Sequence, residues 1–299
     1  METAGRKYMP KNSVREHLKN SDRKTVITYV ILHTLVVISL IRQILAGDLY
    51  NAFLCIVSLL LFMIPRLVKK KLKIELPDLL ECTIYIFIFA AEILGEINNF
   101  YQIIPFWDTI LHTLNGFLCA AIGFSLVDLL NRNSRRINLS PLYLALVSFC
   151  FSMTVGVCWE FFEFTMDNVT GTDMQKDTLI QNINSVYLNE TGANRTVKIR
   201  KIDNTEIHTA DGQTYEIKGG YLDIGLIDTM DDLFVNLIGA LTFNVIGYIY
   251  VRKRDFSKKN IAMRFVPHKM DETQSEAQEE LNALADELEE DEEKRKEDR

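Results

Sequence analysis

The sequence predicts an all-α polytopic membrane bundle of six transmembrane helices, with a small α+β extracytoplasmic insertion between helices 5 and 6. Three observations predict it. Apolar residues gather into runs of about 20, long enough to cross a hydrocarbon core of roughly 30 Å. Lysine and arginine collect at alternate connections between those runs. Between the last two runs, the apolar residues change to a period of two.

The first run, Thr25–Ala46, follows a basic stretch as a signal peptide would. It is too long for a signal-peptide apolar region and no small-residue cleavage motif follows, so it reads as an uncleaved span. The second, Ala52–Ile64, stops before Pro65 and borrows Leu49 and Tyr50 to reach sufficient length. The remaining spans are Leu79–Ile97, Asp108–Leu130, Leu142–Thr165 and Asp228–Val251. The chain thus divides into a basic cytoplasmic tail (1–24), helices 1–5 (25–167), the insertion (168–227), helix 6 (228–251), and a basic stop followed by an acidic tail (252–299).

Orientation follows from the basic flanks. Arg6, Lys7, Lys11, Arg15, Lys19, Arg23 and Lys24 precede span 1, and Arg66, Lys69, Lys70, Lys71 and Lys73 follow span 2. Arg132, Arg135 and Arg136 follow span 4, and Arg252, Lys253 and Arg254 follow span 6. The alternate connections at Gly47–Tyr50 and Asn98–Trp107 carry none. Both termini are therefore expected in the cytoplasm, in a cell (inner or plasma) membrane. The insertion carries six bases over 60 residues, but a segment that long translocates largely regardless of charge.

Within the insertion, Asp173 is placed to cap a helix carrying Met174, Leu179, Ile180, Ile183, Val186 and Tyr187. Thr196–Ile202 then reads as a strand, and Glu206–Ala210 and Gln213–Ile217 flank Asp211-Gly212, a hairpin turn signal. The expectation is a helix plus a three-stranded meander. Asn168, Asn189 and Asn194 each begin an Asn-x-Thr, which matters only in a host that glycosylates secreted domains.

Composition taken as an average conceals this organisation. The 299 residues are 48% hydrophobic and 24% charged, with a net charge of −7, as in a soluble acidic protein. Residues 271–299 hold 14 acids and 4 bases, however, while residues 1–270 hold 26 acids and 29 bases. The acidity belongs to the tail, and a soluble two-domain enzyme is set aside. The body's expected partner is the lipid bilayer, with no nucleic acid. Cys55, Cys82, Cys119, Cys150 and Cys158 all lie in apolar runs without a CxxC, so neither a disulfide framework nor a zinc site is expected.

The informative residues are ionisable groups inside the spans. Asp108 and His112 share a face at i, i+4, and Glu160, Glu163 and Asp167 follow at i, i+3, i+7. Asp228, Asp231 and Asp232 open span 6, with Asn236 four residues on, and Glu92 and Glu96 lie near the outer end of span 3. Counted along each helix at 1.5 Å per residue, these acids fall at one depth. A carboxylate in hydrocarbon is costly unless it faces a partner or water, so they are expected to turn toward one outward-opening polar cavity. Oxygen ligands suit calcium, magnesium or manganese, and His112 admits zinc or iron. The candidate site is Asp108, His112, Glu160, Glu163, Asp228, Asp231, Asp232 and Asn236, with Asp108, His112, Glu160 and Glu163 as metal ligands and a divalent cation as the cofactor. Whether Glu92 and Glu96 join it stays open.

A structural reading stands beside this one. Asp108, Asp228, Asp231 and Asp232 lie near helix N-termini, where acids cap free NH groups and favour the macrodipole. Tyr101 and Trp107 are interfacial anchors, and Arg42 snorkels or neutralises Glu92 or Glu96. His33 is expected to bond a neighbouring helix, and His208 to be solvated in the hairpin. Asn115-Gly116 and Asn236 with Gly239 and Ala240 read as close-packing and interhelical hydrogen-bond positions.

Three blocks of sequence carry a family resemblance: Pro105-Phe-Trp-Asp108-Thr-Ile-Leu-His112-Thr-Leu-Asn-Gly116-Phe, Trp159-Glu160-Phe-Phe-Glu163-Phe with Asp167, and Asp228-Thr-Met-Asp231-Asp232-Leu-Phe-Val-Asn236-Leu-Ile-Gly239-Ala240. Their order resembles the YjdF-like group of uncharacterised bacterial inner-membrane proteins across spans 4 to 6, and more loosely the VanZ-like membrane proteins. The resemblance implies that the three blocks form one site, and it implies no reaction. The insertion and the acidic tail depart from the short forms of the family.

Three functions remain open. One is a cation-binding protein or metal-dependent hydrolase acting on a lipid-linked or peptide substrate. Another is a non-catalytic assembly protein, with a protein partner docking on the insertion or on the acidic tail. The third is an ion-coupled transporter, against which stand the few polar residues deeper in spans 4 to 6 (Ser125, Asp128, Ser148 and Ser152) and the absence of an inverted repeat.

Overall fold

A computed structural model describes residues 11–72, 74–133, 139–253 and 264–269. Apolar runs become helices because only a helix satisfies its own backbone polar groups in hydrocarbon. Helix α1 (Lys11–Ala46) begins within the stretch read as the N-terminal tail and ends at Gly47, whose φ of 75° turns the chain back. Asp48 then caps α2 (Leu49–Leu61), accepting the Asn51 amide at 3.0 Å. Helix α3 (Ile64–Leu72) continues it, the two being offset at Phe62-Met63 before Pro65. A short strand β1 (Ile74–Glu75) leads into α4 (Asp78–Ile88), which runs directly into a π-helix, π1 (Phe89–Ile97). A single turn α5 (Phe100–Ile103) precedes α6 (Trp107–Asn133). Helix α7 (Pro141–Thr170) starts with Ser140 accepting the Tyr143 amide and Pro141 in its first turn, and stops at Gly171 with φ 68°. Helix α8 (Leu226–Lys253) follows the insertion.

Among the described residues, five helical stretches are long and apolar enough to cross a membrane: Arg23–Ala46, Leu49–Lys71, Trp107–Asn131, Pro141–Thr170 and Leu226–Arg252. The sixth expected span, Leu79–Ile97, is helical throughout but is not one regular α-helix, because α4 changes to π1 halfway. The wider π turn releases backbone groups to outside partners, and the Trp107 indole donates to the Ala90 carbonyl at 3.2 Å. Large apolar side chains lie outward along the helices, Val26, Val30 and Ile38 of α1 among them, as a multi-pass membrane protein requires.

The helices pack as two groups. Helices α6, α7 and α8 enclose Ala120, Phe124, Leu144, Ala240, Phe243 and Tyr250. Helices α1, α2, α4 and π1 enclose Val36, Cys55, Phe62, Tyr85, Ile88 and Ile93. A smaller cluster of Ile74, Leu76, Leu80 and Leu118 joins the groups. The approach of α6 to α8 is backbone on backbone. A Cβ on Gly116 would overlap the Asn236 carbonyl, and one on Gly239 would overlap the Thr113 carbonyl. All five cysteines are free thiols.

The insertion corrects the expected helix. Residues from Asp173 onward form no helix and enter β2 (Leu179–Ile180) and β3 (Ile183–Ser185). The backbone amides of Met174, Gln175, Lys176 and Thr178 are held by the carboxylates of Asp167, Asp228 and Asp223, and β2 pairs with β7 (Tyr221–Leu222). These long-range partners outweigh the local helical pattern, and Ile180, Ile183 and Val186 are β-branched besides. The expected three-stranded meander is instead part of three antiparallel two-stranded pairs. In these, β4 (Val197–Ile199) joins β3, and β5 (Asn204–His208) joins β6 (Thr214–Lys218). Asp211-Gly212 makes the hairpin turn, with Gly212 at φ 85°. At the far end of the bundle, β1 pairs with β8 (His268–Lys269). Arg135, Arg136, Arg254 and the acidic tail lie outside the described residues.

Candidate functional site

The close α6–α8 contact positions the site. Asp108 and His112 lie in the first two turns of α6, and Asp228, Asp232 and Asn236 occupy one stripe of α8 at four-residue intervals. On α7, Glu160 and Glu163 face the same point, and Gly156 beneath them leaves room for the Asn236 amide.

His112 Nε2 lies 3.4 Å from Asp108 Oδ1 and 3.6 Å from Asp232 Oδ2, and its Nδ1 lies 3.9 Å from Glu160 Oε1. Two overlapping sets of ligand atoms result: Asp108, His112 and Asp232, and Glu160, Glu163 and Asp232, each with its atoms within 4.8 Å of one another. That spread is what ligands on opposite sides of one ion show, at bond lengths of about 2.0–2.5 Å. His112, Glu160, Glu163 and Asp232 are all buried, and Asp108 is half-buried.

Few of these atoms are satisfied within the protein. Both oxygens of Glu160, which is 4% exposed, and Oδ2 of Asp232, 5% exposed, have no donor within hydrogen-bond distance; the His112 imidazole stands beyond it, and the Thr229 hydroxyl also acts on Glu160. A buried carboxylate left so costs several kcal/mol, of order, unless a cation or a proton compensates it. Glu163 is better held, since the Trp159 indole donates to its Oε1 at 2.8 Å.

Other candidates fall outside the cluster. Asp231 is exposed, because adjacent residues on an α-helix point about 100° apart and Asp232 takes the inward face. Asp228 is half-buried beside the cluster and accepts the Lys176 amide at 2.9 Å. Asn236 sits one turn below Asp232, accepting from Asn115 at 3.3 Å and donating to Met153 Sδ at 3.5 Å, so its amide is engaged between helices at the floor of the site. Asp167 accepts from Thr172 and from the Met174 and Gln175 amides, and it shapes the loop. His33 stacks on Tyr29 at 5.2 Å, and its Nδ1 makes none of the expected interhelical bonds.

A small cavity of about 50 Å³ opens above the cluster, lined by Glu96, Tyr101, Asp108, His112, Trp159, Glu163, Met174 and Lys176. It has room for a few waters or a small polar group. Glu96 thus joins the rim. Tyr101 reaches it by lying against Gly95 of π1, where a Cβ would overlap the ring. Lys176 is the residue that sequence reasoning missed altogether, and no local signal marks it, because the insertion delivers it from outside the three blocks. Trp159 did carry a signal, its i, i+4 spacing from Glu163.

Residues 174–178 cross this mouth as a strap. Asp167 takes two of its amides, Asp228 takes that of Lys176, and Asp223 takes that of Thr178 at 2.8 Å. Although burial works to raise it, the amides of Thr178, Ile227 and Gly225 hold the Asp223 carboxyl below its ordinary value.

The family model for "Predicted membrane protein (DUF2238)" matches residues 27–253, which contain every helix of the site and the insertion. The chain belongs to that family. It is similar to an uncharacterized protein of Thermotoga maritima, 32% identical over 95 residues, or 32% of this chain and 47% of that relative's length. No solved structure matches the chain. The family match establishes a membrane protein and does not extend to the YjdF-like or VanZ-like likenesses.

Proposed function

We propose that this DUF2238 protein binds a divalent cation at the outer face of the membrane, through Asp108, His112, Glu160, Glu163 and Asp232. In this reading the helical segment Leu79–Ile97 crosses the bilayer despite its π-helical half, giving six spans with both termini in the cytoplasm. The alternating basic flanks support that orientation. The observation that carries the cation reading is the pair of buried Glu160 oxygens, which have no donor within hydrogen-bond distance and face an imidazole and two further carboxylates. A cation there would polarise a water or a carbonyl or phosphoryl oxygen held in the adjoining cavity, the chemistry of a metal-dependent hydrolase. Tyr101 and Lys176, which line that cavity, would contact whatever enters.

The test is metal analysis of the full chain purified in detergent, wild type against His112→Ala and Glu160→Ala. The wild type is expected to retain a divalent metal that both variants lose. Wild-type protein that holds no metal, even after incubation with manganese and zinc, overturns the reading. A second reading, a docking protein, is favoured by apolar residues left open on the insertion, Tyr187 at 96% exposure above all. It predicts that Tyr187→Ser removes a phenotype which His112→Ala leaves intact.

A further inference from the structure

We infer that the cluster is a two-cation centre in which Asp232 bridges the ions. The inference rests on the cation reading above and adds to it the number of ions and their arrangement. The ligand atoms fall into two overlapping groups. Asp108, His112 and Asp232 form one set and Glu160, Glu163 and Asp232 another, and only Asp232 belongs to both. A carboxylate bridges two ions by giving one oxygen to each, at an ion separation of about 3.5–4 Å.

The unpartnered atoms fit this division. Asp232 Oδ2 and both Glu160 oxygens are buried with no donor within hydrogen-bond distance, so each set contains an oxygen whose nearest partner, the His112 imidazole, stands 3.6 Å or more away. The sets also differ in chemistry. The first holds an imidazole nitrogen and suits zinc, iron or manganese, while the second is all oxygen and suits magnesium, calcium or manganese. Manganese is the ion both accept.

The test is manganese titration of the full chain in detergent, read by bound metal per chain and by electron paramagnetic resonance. Wild type is expected to bind two ions per chain and to give the exchange-coupled spectrum of a manganese pair. Asp108→Asn and Glu163→Gln are each expected to bind one ion, with the coupling lost, while Asp232→Asn abolishes the pair. Asp231→Asn, on the outward face, keeps two. One uncoupled ion in the wild type overturns the two-cation centre and leaves the cation reading standing. No ion at all overturns both. The wild-type stoichiometry and spectrum decide the matter even where a variant fails to fold.

Discussion

His112 Nε2 lies 3.6 Å from Asp232 Oδ2, joining helices α6 and α8 through their side chains one to two turns above the point where their backbones touch. The two contacts depend on each other. Gly116 and Gly239 let the helices close, and the closure brings the imidazole to the carboxylate.

Gly239→Ala is therefore expected to destabilise the protein, although alanine favours an α-helix over glycine by about 1 kcal/mol. The new methyl would meet the Thr113 carbonyl, a backbone atom that cannot swing aside. Overpacking of this kind costs about 1–3 kcal/mol, so the net effect is a loss. Thermal unfolding in detergent should show a lower midpoint. The same variant should bind manganese more weakly, because the helices are held apart above the methyl as well.

Trp159→Phe keeps the ring and removes the donor to Glu163. A hydrogen bond to a charged group is worth about 1.5–3 kcal/mol. Loss of such a partner behind a metal ligand costs about 10–100-fold in affinity. Manganese titration should show weaker binding at unchanged stoichiometry.

Acid should release the strap. The carboxyl of Asp223 titrates below its ordinary value of 3.8 in the folded protein. Its contribution is fully present above that value and is lost as pH falls through the lower, folded one. Hydrogen exchange at Thr178 and Ile227 should accelerate in that acidic window. Asp223→Asn should reproduce the acceleration at neutral pH, and protection that is flat across the window would count against the role.

Orientation is open to labelling in intact cells. In a chain whose five cysteines are replaced, Tyr187→Cys should react with a membrane-impermeant maleimide from outside. Lys71→Cys should react only after the membrane is opened. The reverse pattern would invert the topology.

Sequence alone made the helical body legible because the bilayer allows few solutions: a long apolar run must be a helix, and acids within it must find one another. Asp108 with His112, and Glu160 with Glu163, share a helix face readable from their spacing, and the packing of α6, α7 and α8 brings Asp232 to them. Asp231 was not separable from Asp232, since either could start the inward stripe until the α8 packing was known. The insertion misled at Met174–Tyr187, where the helical spacing is real but the amides were already claimed by acids far along the chain. The break from α4 into π1 also lay beyond the pattern, for it depends on how Trp107 and Tyr101 return to Ala90 and Gly95.

The strap over the cavity gives the site a clock as well as a shape. Asp167 and Asp228, on the two helices that carry Glu163 and Asp232, hook its backbone, so a bound ion would sit behind a door hinged on its own frame. The time an ion stays would then be set by how often those hooks let go, and not only by how strongly the ligands hold. Two proteins with the same ligands and different straps would differ in residence time before they differed in affinity.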